Sequence, residues 1–213
     1  MRRVTHGQGR DVPQGDLGPL AERLSPVYDR LPTSTPLTMI KRSLFILAAA
    51  ATPVFGQGAN PNMANAAALF KSVSGYILEA ANDMSEAQYA FRPTPDVRTF
   101  GELIGHVAGS QKMFCAMALG DKAPAEDAVE KAAKTKAALV AALKESNDYC
   151  AKAYQMTDAA TAGMIDVFGE KHSKMFALLD NVTHDNEHYG NIVTYMRMNK
   201  LVPPSSKPRQ GGN

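Results

Sequence analysis

From residue 60 onward the chain is written in steps of three and four. Met63, Ala67, Phe70, Ser74, Ile77, Ala81 and Met84 recur at alternating intervals of four and three, the spacing that lays one face of an α-helix against a core. Asn60-Pro61 reads as N-cap and first helical position, and the helix is expected to run to about Asn82. Ser85-Glu86-Ala87-Gln88 has the form of a capping box opening one short turn. Residues 92–96, Arg-Pro-Thr-Pro-Asp, cannot be helical, because each proline disfavours helix in the residue before it. A second capping box, Thr99-Phe100-Gly101-Glu102, opens the next helix, with Phe100, Leu103, Ile104, Val107, Phe114 and Met117 as its buried face.

Residues 120–124 break the pattern. Residues 126–134 are mostly alanine and charge and read as a crossover. A third long helix is expected from near Thr135 to about Gln155, with Leu139, Leu143, Ser146 and Cys150 on one face. Residues 157–171 read as a loop with Gly163 and Gly169 as breakers. Ser173 then caps a last helix running to about Asn199, whose apolar centre is Met175, Leu178, Val182, Tyr189, Val193 and Met196. Every long periodic stretch is helical, which makes the fold class all-α. Gly101, Gly105 and Gly109 recur every four residues on the side away from Phe100. Each costs about 1 kcal/mol relative to alanine in a helix interior. They either let a neighbouring backbone come close or are incidental, and no function is assigned to them.

The first 56 of the 213 residues read differently. Lys41-Arg42 precedes the apolar run 44–51, and Thr52-Pro53-Val54-Phe55-Gly56 follows, which is the layout of a secretory signal peptide over residues 39–56. The run is shorter than the roughly 20 residues that span a bilayer. Residues 1–38, before Met39, are rich in proline, glycine, arginine and aspartate. They read as a disordered upstream extension preceding the true start, or alternatively as a cytoplasmic leader before an uncleaved anchor. Residues 57–206 make one domain and residues 207–213 a disordered tail. Export to the periplasm or extracellular space is the expectation, with no stable membrane insertion after cleavage. The part after residue 56 carries 16 basic and 17 acidic residues. It has no basic stripe, which argues against nucleic acid as a partner.

The chemistry concentrates in Thr183-His184-Asp185-Asn186-Glu187-His188-Tyr189-Gly190. Histidines at i and i+4 share a helix face, with Cβ atoms roughly 5–6 Å apart, and their rings can converge on one ion. Of the other three histidines, His6, His106 and His172, only His106 lies well inside a second strong helix. His106, His184 and His188 are therefore the candidate metal ligands, set against the plainer reading of three packed histidines. His172 reads as a surface residue. Asn191 and Tyr195 lie along the same helix edge as His184 and His188 and are candidates to orient a substrate. Glu187 or Asp185 is a candidate base or a group supporting a ligand, and neither need face the site. Cys115 and Cys150 fall about equally far into their helices. A disulfide is open to them if those helices run parallel and closed if they run antiparallel; otherwise they are two small buried hydrophobes.

Thr99-Phe100-Gly101-Glu102-Leu103 with His106 resembles the second helix of DinB-like proteins. His184 to Gly190, followed by Tyr195-Met196-Arg197 and Pro203-Pro204-Ser205, resembles their last helix and exit. The resemblance covers about residues 62–206. It implies a four-helix bundle of up-down-down-up topology, with a short crossover between the second and third helices, which run parallel. It implies a divalent metal, zinc or nickel, held by His106, His184 and His188. The activities it implies are thiol-dependent transfers and isomerisations, and homodimers are common among such bundles.

Three functions follow as expectations. The first is a metal-dependent hydrolase or transferase acting on a small molecule; export favours hydrolysis, since low-molecular-weight thiols belong mainly to the cytoplasm. The second is a metal- or small-ligand-binding protein without turnover. The third is a structural bundle with merely packed histidines.

Overall fold

The computed structural model describes residues 60–208; residues 1–59, with the expected upstream extension and signal peptide, and residues 209–213 lie outside the described residues. Four long helices dominate: α1 (Pro61–Asp83), α2 (Phe100–Leu119), α4 (Lys136–Ala153) and α6 (Lys174–Met198). Short helices α3 (Ala128–Ala132) and α5 (Asp158–Thr161) and a hairpin of β1 (Met164–Val167) and β2 (Glu170–Ser173) fill the connections. No helix among the described residues is long and apolar enough to cross a membrane.

Both expected capping boxes form. Ser85 and Gln88 exchange hydrogen bonds at a 3₁₀ turn, Glu86–Ala90. Thr99 and Glu102 do the same at the start of α2. Ser173 caps α6 by accepting from the Phe176 amide. Asn60 does not cap α1 with its side chain. The carboxylate of Asp158 reaches in instead and accepts from the amides of Asn62 and Met63 at 3.1 and 2.8 Å, while Asn60 Oδ1 accepts from the Asp158 amide. A distant acidic side chain thus satisfies the orphan donors of the first turn.

Residues 157–171 are more ordered than a loop. Met164 pairs with Ser173 and Val167 with Glu170 in an antiparallel register, closed by Phe168-Gly169, both at positive φ (53° and 90°). That is the two-residue turn whose twist matches a hairpin. Phenylalanine in the first turn position, where asparagine or glycine is usual, hid it in the sequence.

Helix α2 is buried on nearly every side. Its partners on α4 advance in step: Gly101 and Gly105 lie against Leu139, Gln111 against Ser146, and Cys115 is disulfide-bonded to Cys150 with Cα atoms 5.3 Å apart. Its partners on α6 run the other way, with Phe100 beside Tyr195, His106 beside His188 and Gln111 beside Asp185.

The apolar core falls into two clusters. One gathers around Phe100, Ile104, Ile192 and Met196, the other around Phe70, Tyr154, Leu178 and the disulfide. On α2, α4 and α6 the residue between the clusters is polar: Ser146 donates to Gln111 Oε1 at 2.6 Å, and Gln111 donates to Asp185 Oδ2 at 2.9 Å. Asn181 and Asp185 therefore sit at the centre of the buried face of α6, while Met175 and Val193 only flank it. An apolar wheel reads past that arrangement. Lys207, placed in the tail by composition, bonds Glu79 and Asp83 on α1 at 2.7 Å each.

Candidate metal centre

The helical register of α6 and its antiparallel packing on α2 bring three imidazoles together. His106 Nε2 lies 3.2 Å from His184 Nε2 and 3.1 Å from His188 Nε2, and the last two are 3.1 Å apart. His106 is 5% exposed and His188 8%. These are the three residues the sequence singled out, and they are a group able to hold a metal ion.

The electrostatics keep the three rings neutral, the form that ligates a metal ion; Arg98 disfavours positive charge there and Glu126 favours it. Burial, then the Arg98 guanidinium, push His106 down to about 4, with Glu126 opposing. Burial and the two neighbouring imidazoles, with Arg98, push His188 down to about 3. Burial also lowers His184, with Glu126 again opposing. At neutral pH all three rings are uncharged. Three mutually facing nitrogens cannot all hydrogen-bond one another, since each neutral ring carries one proton. With those protons on Nδ1, three lone pairs point into one small space. Nitrogens bound to a single tetrahedral ion at about 2.0–2.1 Å lie about 3.3 Å apart, close to the spacing here. The donor set therefore fits a divalent transition metal.

The outer ring nitrogens are loosely held. His106 Nδ1 stands 3.9 Å from Glu130 Oε2, and both oxygens of Glu130 accept from Arg98 Nε at 3.2 Å. His188 Nδ1 is 3.5 Å from the Asn191 side-chain amide. His184 Nδ1 is buried without a partner. Phe114 packs edge-on against His184, with ring centroids 5.8 Å apart, and the hairpin residue Phe168 packs on Phe114 in turn.

A cleft of about 730 Å³ opens on His188, between the segment carrying Pro93 to Arg98 and the α6 residues Asn191, Thr194 and Tyr195. Of the candidate catalytic residues, Asn191 and Tyr195 line this cleft. The Tyr195 hydroxyl donates to the Arg98 carbonyl at 2.6 Å. Glu187 is exposed and outside the cleft lining. Asp185 is wholly buried in the polar layer of the core, facing Gln111. His172 is half-buried, stacked on Phe176 with centroids 3.9 Å apart, and takes no part in the site.

Two residues near the rings carried no signal as site residues in the sequence. Glu126 Oε1 lies 3.7 Å from Nε2 of both His106 and His184, and Glu130 backs His106. Both come from the crossover, which read as charge and alanine. The recurring glycines of α2 were the available sign that something packs there.

A family model described as the DinB superfamily matches residues 53–192. Among solved structures, a DinB-like protein from Bacillus cereus is similar at 17% identity and a TM-score of 0.55, over 62% of this chain and 89% of that one. A DinB-like protein from Bacillus subtilis is similar at 21% identity and a TM-score of 0.55, over 68% of this chain and 99% of that one. A mutant of the mycothiol-dependent maleylpyruvate isomerase is similar at 14% identity and a TM-score of 0.51, over 62% of this chain and 65% of that one. At these identities the structural likeness is one of fold. No curated protein matches the sequence.

Proposed function

The chain belongs to the DinB superfamily, and from that premise we propose that it is an exported metalloprotein that binds a divalent ion through His106, His184 and His188 and acts on a small molecule as a hydrolase or transferase. One observation carries this reading: the three Nε2 atoms lie within 3.2 Å of one another, and one of the three rings, His188, lines a cleft of small-molecule size. Zinc or nickel suits an all-imidazole set. When bound, the ion supplies Lewis acidity and a lowered pKa for a coordinated water or thiol.

The chain's own residues do the rest. Glu130, clamped by Arg98, stands 3.9 Å from the outer nitrogen of His106, beyond hydrogen-bond distance; its negative charge favours the proton on that nitrogen, leaving Nε2 free to ligate. Asn191 Nδ2 stands 3.5 Å from the outer nitrogen of His188; the flipped amide would turn its oxygen there and accept from that nitrogen, leaving Nε2 of His188 free to ligate. Tyr195 braces the Arg98 backbone and so shapes the cleft wall. Arg98, whose Nε is bonded to Glu130, lines the cleft along with His188.

The proposed architecture is a four-helix bundle of up-down-down-up topology. The in-step pairing of α2 with α4 and the reversed pairing of α2 with α6 support it. Export is supported by the signal-like residues 39–56 and by the Cys115–Cys150 disulfide, since such bonds persist in oxidising compartments. The mycothiol-dependent isomerase among the structural neighbours keeps thiol-dependent transfer as a candidate beside hydrolysis. Nucleic acid is not a proposed partner; a homodimer is compatible with the reading.

A binding protein without turnover is the second reading. It is favoured by the cleft chemistry, because the Tyr195 hydroxyl is spent on a backbone carbonyl and Glu187 faces away. A panel of ester, amide and thiol-transfer substrates, assayed with and without chelator, decides between the two. Turnover abolished by chelator and restored by metal supports the enzyme. Metal binding with no chelator-sensitive turnover across the panel supports the binder.

A further inference from the structure

The glycine spacing of α2 and the acidic residues of the crossover meet at the histidine cluster. A Cβ on Gly109 would run into the carbonyl oxygen of Glu126, and one on Gly105 would lie 2.8 Å from the Cα of Glu130. Bare backbone at these two positions lets residues 126–130 lie directly on α2. The result is positional. Glu126 Oε1 stands 3.7 Å from the ligating nitrogens of both His106 and His184. The hydroxyl of Ser110, wholly buried one helical turn from His106, lies 3.1 Å from the same oxygen.

We propose that Glu126 is a fourth protein ligand of the metal centre, anionic beside three neutral ones. The inference rests on the reading of the three histidines as ligands. Three imidazoles bring no charge to a divalent ion in a site already close to the Arg98 guanidinium, and a carboxylate offsets that charge where it is most costly. The geometry is within reach. Donor atoms bound to one ion at about 2.0–2.1 Å lie about 3 Å apart, and expansion to five-coordination keeps one position for a water or thiol. Oε1 is already near that spacing from His106 and His184; it must swing farther to reach His188, and its side chain is 45% exposed and free to move. Glu130 is not an equivalent candidate: both its oxygens are held by Arg98, and it faces Nδ1 of His106 rather than Nε2.

The test uses the full bundle, purified without a histidine tag. Zinc affinity is measured by competition with a chromophoric chelator, and the visible spectrum is recorded with cobalt(II) in place of zinc. Wild type is compared with Glu126→Gln, Glu126→Ala, Glu126→Asp and His184→Ala. Circular dichroism of the metal-free forms verifies the fold, which a half-exposed side chain does not determine. Glu126→Gln and Glu126→Ala are expected to weaken zinc binding by about tenfold or more, the loss seen even for groups that only support a ligand. Both are expected to change the cobalt spectrum, with partial recovery in Glu126→Asp. Zinc affinity and a cobalt spectrum indistinguishable from wild type in the Gln and Ala variants overturn the proposal while leaving the triad intact. If His184→Ala also binds as wild type does, the triad itself falls, and the fourth ligand with it.

Discussion

Gln111 donates its side-chain amide to Asp185 Oδ2 at 2.9 Å, tying α2 to α6 at the level where the apolar core is interrupted. Burial pushes the Asp185 carboxyl up to about 8, with the Gln111 bond opposing, and Oδ1 has no partner. The folded pKa thus exceeds the unfolded value of about 3.9, so the unfolded chain releases the proton first. The stability this group contributes is full below about pH 4 and is lost as pH rises through about 8. Asp185→Asn, nearly isosteric, removes the titration. Thermal melts of the metal-free protein are expected to show the variant close to wild type near pH 4 and clearly more stable near pH 8. The same slope with pH in both would assign the effect to another group.

Metal should be a large part of the stability of the loaded form. At free ion about 100 times its Kd, binding adds about 2.7 kcal/mol, or roughly 5–10 °C of Tm for a domain of this size. Chelator is expected to remove that increment from wild type, and replacing His106, His184 or His188 by alanine should leave no increment to remove. The metal-free protein carries a further signature. His106 and His188 have folded pKa values below the unfolded one of about 6.5, so the unfolded state takes up protons first. Stability should fall as pH drops from about 6.5 through 4. Melting of the Asp185→Asn variant, which lacks the opposing carboxyl titration, followed in acetate and phosphate buffers checks this.

Two glycines in neighbouring helices should respond oppositely to alanine. Gly109→Ala drives a methyl into the Glu126 carbonyl oxygen, and overpacking of this kind costs about 1–3 kcal/mol. It should also weaken zinc binding, because the crossover that delivers Glu126 must lift. A Cβ on Gly190, on α6, meets nothing within 4 Å. Gly190→Ala should gain about 0.5–1 kcal/mol from helix propensity alone. Denaturant unfolding of both variants reads the two signs.

The Cys115–Cys150 bond closes a loop over a sequence separation of 35. Loop-closure entropy for that length corresponds to about 4 kcal/mol. The Cys115→Ala/Cys150→Ala variant should unfold at correspondingly lower denaturant while still binding metal, since both cysteines belong to the cluster around Phe70, Tyr154 and Leu178 and Cys115 follows His106 on α2 by more than two helical turns. A variant equal to wild type in stability would mean that the unfolded state is not constrained by the bond.

Where the chain obeys local rules, its structure was legible. The capping boxes at Ser85 and Thr99, the serine cap at 173 and the apolar periods located all four long helices to within a few residues, because those signals act within one helical turn. The i,i+4 pair His184/His188 was legible for the same reason. His106 entered by elimination among five histidines. The α2 side of the site, Glu126 and Glu130 included, was written in residues whose meaning is non-local. A glycine every fourth residue says only that something can approach.

The amino-acid sequence by itself determined the long helical elements, most of their apolar positions and the types of ligand available, since propensity, capping and periodicity are properties of neighbouring residues. Tertiary packing alone decided that the crossover lies on the glycine face of α2, that Asp158 caps α1, and that Asp185 is a core residue rather than a base. It also decided which nitrogen of each imidazole faces the other two. Those outcomes depend on which surfaces exclude water from one another, and that is settled only when distant segments share the same volume.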